Sequence, residues 1–82
     1  MKKANLNGLP AGASAAVTAV NAPPSVRRRL ADLGLVPGTV IKCVGQSPSG
    51  NPRAFLFAGT VIALRNSDCE NIIIDSGDDN DE

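Results

Sequence analysis

Histidine, tryptophan and tyrosine are missing from this chain, and phenylalanine occurs only twice, at Phe55 and Phe57. Without imidazole there is no side chain whose ordinary pKa lies near neutrality, so acid-base catalysis at physiological pH has poor material. The scarcity of aromatics removes the stacking platforms of single-strand nucleic-acid binders and the aromatic grooves that take proline-rich peptides. It also leaves the core to Val, Ile, Leu and Ala. Cysteine is limited to Cys43 and Cys69, far apart and with no histidine to complete a metal clip, so two reduced, buried thiols are expected, with a disulfide as the alternative. The glycines at Gly45, Gly50 and Gly59 lack the Gly-Lys-Ser/Thr ending of a phosphate loop. No apolar run reaches membrane-span length, and Gly8, Pro10 and Gly12 break up the start too early for a secretory signal. No catalysis, cofactor, metal site or membrane insertion is therefore expected.

What is present fits one small domain. Eighty-two residues bury only about 60 % of the unfolded chain's surface, which leaves little room for a cleft as well as a core. The formal net charge of zero hides an asymmetry. Residues 1–74 hold all eight Lys and Arg against Asp32, Asp68 and Glu70, while Asp75, Asp78, Asp79, Asp81 and Glu82 close the chain. The expected organisation is a mildly basic folded body over residues 1–75 and an acidic, disordered tail over residues 76–82.

One helix is predicted, at about residues 24–33. Val26, Leu30 and Leu33 fall at i, i+4 and i+7 and line one apolar stripe, so the helix should lie as a lid on a core. Pro23 and Pro24 suit a first turn, Ser25 is a candidate cap, and Gly34 can take the left-handed conformation that ends the helix. So short a helix does not persist alone in water.

Strands are predicted on both sides of it. Residues 13–21 carry Val17 and Val20; residues 39–44 are dense in β-branched side chains; residues 53–57 place Arg53, Phe55 and Phe57 on one face; residues 60–65 and 72–74 complete the set. Residues 45–51 read as a loop, Asn66-Ser67-Asp68 as a single helical turn, and Leu6 with Leu9 as apolar anchors of an arm or helical turn. Runs such as Ile72-Ile73-Ile74 imply cover on both strand faces, and closure would remove most free edges. The predicted fold is mainly β, a small SH3-like barrel of about five strands with an inserted short α-helix.

The arginine cluster leaves alternatives open. Arg28 should point away from the core beside Asp32, a weak surface pair, with Arg27 and Arg29 flanking the stripe. Solvating the lid would suffice for all three, and an electropositive docking face for an acidic partner surface is the functional alternative. Nucleic acid is disfavoured by the missing aromatics and the small basic surplus. For Leu35 and Pro37, helix termination and lid packing compete with exposure as an apolar corner.

The run Arg27-Arg28-Arg29-Leu30-Ala31-Asp32-Leu33-Gly34-Leu35-Val36-Pro37-Gly38-Thr39-Val40-Ile41 closely resembles the signature of ferrous iron transport protein A (FeoA) domains. The likeness continues through Leu6, Leu9, Gly12 and Ala16-Val17, then Gly50-Asn51-Pro52, residues 59–65 and Ile72-Ile73-Ile74. It covers roughly residues 6 to 75. The resemblance implies a small cytoplasmic accessory protein of bacterial ferrous iron uptake. Such a protein binds and regulates the FeoB-type membrane GTPase transporter and does not itself carry iron. Related domains also occur in metal-dependent repressors, but the DNA-binding region of those proteins has no counterpart here. On this footing the expected partner-binding residues are Arg27, Arg28, Leu35, Val36 and Pro37. A homo-oligomer is a further possibility. The rival functions are a nucleic-acid-binding small barrel and a self-assembling module.

Overall fold

Strand formation in this chain follows side-chain alternation, and the computed structural model, which describes residues 3–75, shows where that alternation is kept and where it is broken. The described residues form β1 (Lys3–Asn5), β2 (Ser14–Val20), helix α1 (Pro24–Asp32), β3 (Val40–Gln46), β4 (Arg53–Phe57), β5 (Thr60–Leu64), the short helix α2 (Asn66–Cys69) and β6 (Ile72–Asp75). A 3-10 turn, Leu6–Gly8, follows β1. All pairings are antiparallel in the order β1-β6-β2-β3-β4-β5. The predicted tail, residues 76–82, lies outside the described residues.

The mainly β architecture with an inserted helix agrees with expectation, and two details correct it. Six strands are present instead of five, because Lys3–Asn5 pairs with β6 in the register Lys3↔Asp75, Ala4↔Ile74, Asn5↔Ile73. Three residues with one half-buried side chain carry no periodic signal; the partner strand makes them a strand. The hydrogen-bonded sheet is also not closed, so β1 and β5 remain as edges. It curls strongly enough to wrap one core but stops short of a sealed barrel.

That core is aliphatic with two aromatic pillars. Leu6, Leu9, Val17, Leu30, Leu35, Ile41, Phe55, Phe57, Leu64, Ile72 and Ile74 are buried, with Cys43 and Cys69 among them as free thiols. In β4 the alternation is clean: Arg53, Phe55 and Phe57 turn inward. In β2 it is not, since Val17 and Val20 are three apart and both are buried. A register shift between Val17 and Ala19 reconciles them by inserting one residue against β6. Thr18, at the shift, donates its hydroxyl to the Ile73 carbonyl at 3.3 Å.

Cover on both faces of every strand is not found. The outer face of β3–β5 leaves Val40, Val44, Leu56 and Val61 exposed, the first by 63 %. The β-branched character of the three valines reflects a preference for extended backbone and not burial.

Candidate functional site

The lid is built by its two ends. Pro24 occupies the first helical position, where its missing amide hydrogen costs nothing, and the Arg27 amide donates to the Pro23 carbonyl at 2.8 Å. Ser25 is not a cap: the capping position is Pro23, no side chain bonds there, and Ser25 sits inside the first turn. At the other end Gly34, at φ 103°, takes the left-handed conformation. Its amide donates to Ala31 at 2.9 Å and that of Leu35 donates back to Leu30 at 2.9 Å. These two bonds make the paired closure in which the residue after the glycine packs onto the last turn.

This closure corrects the predicted stripe. Leu30 is buried and Val26 packs at the edge of the core, but Leu33 is 41 % exposed and Leu35 only 1 %. The chain reverses at Gly34 and swings Leu35 under the helix, so it takes the place expected of Leu33. Of the two readings open for Leu35, helix termination with lid packing holds and the exposed corner does not. Its side chain is the floor of the site and Val36 with Pro37 is the rim. Gly34 also lies against the β4–β5 hairpin, where an added Cβ would stand 2.7 Å from the Ala58 Cβ. That close approach fixes the lid's distance from the sheet.

The rim is held by Thr39, which the sequence reading did not single out. The Thr39 amide donates to Val36 at 3.0 Å, and Gly38 has φ 98°, so residues 36–39 form a turn with Pro at its second position and Gly at its third. The Thr39 hydroxyl donates to the Gly34 carbonyl at 2.9 Å and accepts from the Val36 amide at 3.2 Å. The Gly38 amide then donates to Val17 at 2.7 Å and ties the turn to β2. A polar β-branched residue just after Pro-Gly was the available signal.

Between α1 and this turn runs a groove of about 780 Å³. Arg27, Arg28, Leu35, Val36 and Pro37 all line it, so the five residues expected to bind a partner come together on one surface. Val20, Pro24, Ser25, Ala31 and Asp32 complete its walls. Arg29 does not line it. Arg27 and Arg28 are exposed. The expected Arg28–Asp32 pair is not formed, and among the described residues neither guanidinium group of the groove has a hydrogen-bond or ion-pair partner. A charged rim over an apolar floor suits a surface that brings acidic groups beside an apolar side chain. Among the described residues no group of three or more His, Cys, Asp or Glu stands together in a way that could hold a metal ion. Among them, no helix is long and apolar enough to cross a membrane.

The family model of the FeoA domain matches residues 4–76. The chain belongs to the FeoA family. Among solved structures it is similar to the FeoA protein of Chlorobium tepidum, at 39 % identity and TM-score 0.85, over 90 % of this chain and 70 % of that one. A FeoA-like protein of Clostridium acetobutylicum matches at 30 % identity and TM-score 0.84, over 94 % of this chain and 90 % of that one. Stenotrophomonas maltophilia FeoA, solved with zinc and described as a prokaryotic SH3 domain protein, matches at 33 % identity and TM-score 0.78, over 88 % and 89 % respectively. A comparison with curated proteins finds no match. The FeoA family is associated with ferrous iron transport and is an accessory domain, not a known enzyme family. The SH3-like architecture read from the sequence is thus shared with FeoA proteins.

Proposed function

We propose that this FeoA-family chain is a cytoplasmic accessory protein of bacterial ferrous iron uptake that docks on the FeoB-type membrane GTPase transporter through the groove beside α1. It acts there as a regulator and not as a catalyst or an iron carrier. The observation that carries this reading is the convergence of Arg27, Arg28, Leu35, Val36 and Pro37 on one groove, with no hydrogen-bond or ion-pair partner for either arginine among the described residues. Free guanidinium groups above an apolar floor are interface anchors, because a partner carboxylate can engage them without breaking an existing pair. The acidic counter-surface is expected on the transporter's cytoplasmic region.

The test is a double charge reversal, R27E/R28E. Neither side chain supports the core, so circular dichroism and the melting temperature should match the wild type. Retention on an immobilised FeoB cytoplasmic domain should fall by roughly tenfold or more, the loss expected when charged contacts become repulsive. Transporter-dependent iron uptake should fall with it. Retention and uptake at wild-type levels would sink the docking face. Salt-dependent capture on single-stranded RNA, lost in the same variant, would favour the nucleic-acid reading. Concentration-dependent mass without transporter binding would favour self-assembly.

A further inference from the structure

The open sheet leaves two edges, and they are not alike. β1 is three residues long and carries Lys3, so it offers little backbone and a charge that deters pairing. β5 runs for five residues as Thr-Val-Ile-Ala-Leu, with no charge, no proline and no bulge in its register with β4. Those are the devices that keep an edge strand from pairing with another chain, and β5 has none of them.

Its free backbone groups can be placed. The β4–β5 turn consists of Ala58 and Gly59, both at positive φ (53° and 76°), the geometry of a tight hairpin whose flanking residues exchange both hydrogen bonds. Phe57↔Thr60 is therefore a bonded pair, as are Phe55↔Ile62 and Arg53↔Leu64. Val61 and Ala63 alternate with these, so their amides and carbonyls point away from β4, along the open edge. Their side chains lie on the outer sheet face, Val61 opposite Leu56 and Ala63 opposite Ala54. That face is apolar and in solvent, with Val61 58 % and Leu56 38 % exposed.

The edge matches itself. A second β5 laid antiparallel about a twofold axis at Ile62 sets Val61 against Ala63 of the second copy, and Ala63 against its Val61. Every outward amide and carbonyl of these residues then meets a partner. The larger side chain faces the smaller, so Leu56 and Val61 join Ala63 and Ala54 of the second copy in one apolar row across the axis. No charged residue falls within the paired strands. Beyond them, the hairpin end of β5 lies by α1, since Gly34 abuts Ala58, and α1 carries Arg27, Arg28 and Arg29 against Asp32. The other end leads through Arg65 into Asp68 and Glu70. The twofold sets the basic end of one copy beside the acidic end of the other, whereas a parallel pairing would put like beside like.

We propose that this chain forms a twofold dimer through β5, edge to edge, with a second copy of itself as the occupant. No residue of β5 lines the groove beside α1. The dimer therefore stands apart from the docking reading.

The test is sedimentation velocity of the full chain from about 10 μM to about 1 mM, the range in which an interface smaller than about 1,200 Å² associates. The mass should rise from monomer to dimer and stop there. Over the same series the Val61 and Ala63 amides should gain about tenfold or more protection from hydrogen exchange. Val61→Lys puts a charge on the exposed face of the edge, and Ala63→Pro removes an amide hydrogen that β4 does not use; each should weaken association by about tenfold or more. Should Ala63→Pro fail to fold, Val61→Lys carries the test. At about 1 μM, where both are monomers, Val61→Lys should be retained on the immobilised FeoB cytoplasmic domain as the wild type is, which separates loss of the dimer from loss of docking. A monomeric mass at every concentration, association that survives the substitutions, or growth past the dimer would overturn the proposal. Protection of Val61 and Ala63 that appears only when the FeoB cytoplasmic domain is added would overturn it too, and would give the edge to the transporter.

Discussion

Arg27 and Arg28 on α1 and Arg53 on β4 are the same side chain put to opposite uses. The helical pair stands in solvent at the rim of an apolar groove, with no partner among the described residues. Arg53 is sealed under the arm that follows β1, its charge solvated by the carbonyls of Leu6, Asn7 and Leu9, with its Cζ 5.4 Å from the Phe55 ring centroid. No carboxylate is among its partners. The contrast teaches that burial of an arginine is decided by the supply of fixed acceptors nearby. A 3-10 turn ends in unpaired carbonyls and can aim them at one point, whereas a helix flank offers none.

The comparison breaks most sharply if Arg53 proves dispensable. Replacing it by Met leaves the Asn7 and Leu9 carbonyls and the Cys43 sulfur without their donor, the Leu6 carbonyl keeping only the Leu9 amide, and should destabilise the domain by about 3 kcal/mol or more. In a domain of this size that lowers the melting temperature by roughly 15 °C, readable by thermal circular dichroism. A melting temperature within a few degrees of wild type would show that the carbonyls are solvated without it.

The second expectation separates the two leucines of the lid. Leu30→Ala removes a side chain that is 1 % exposed and should cost about 2–5 kcal/mol in urea unfolding. Leu33→Ala, three residues on and largely in solvent, should cost about 0.5 kcal/mol or less. Equal effects would mean that the helix faces the core through the stripe its sequence suggests, and that Leu35 is not the residue beneath it.

A smaller effect concerns the thiols beside Arg53. Burial pushes the Cys69 thiol up to about 11 from an ordinary value of 9.0; nearby Arg53 opposes this, while Asp68 and Cys43 add to it. The unfolded chain therefore loses this proton before the folded one does. Stability is fully present below pH 9.0 and falls as pH rises toward about 11, by about 2 kcal/mol. Urea unfolding across this window should show the decline in the wild type and a shallower one in Cys69→Ala. Identical slopes would mean that Cys69 ionises as readily in the folded domain as in the unfolded chain.

Much of this was legible from residue order because the relevant forces are local. The helix was placed at residues 24–33 and observed at Pro24–Asp32, since prolines can begin a helix and glycine can end one. Residues 53–57 were read as a strand with Arg53, Phe55 and Phe57 on one face, and β4 has those bounds and that inward set. The residues expected to bind a partner line one groove, with Leu35 buried beneath it. What could not be read were the terms set across long sequence separations. The strand status of Lys3–Asn5 depends on β6, and the phase of β2 depends on a bulge against the same strand.

The amino-acid order alone determined the bounds of α1 and β4, because capping, turn geometry and side-chain period act over a few residues. Packing decided the rest. Whether Leu33 or Leu35 fills the space under the helix depends on a chain reversal pressed against the β4–β5 hairpin. Whether an arginine stands in solvent or is a buried strut depends on which distant carbonyls reach it. Those outcomes are settled only when remote segments compete for the same volume and the same hydrogen bonds, and no local pattern encodes the winner.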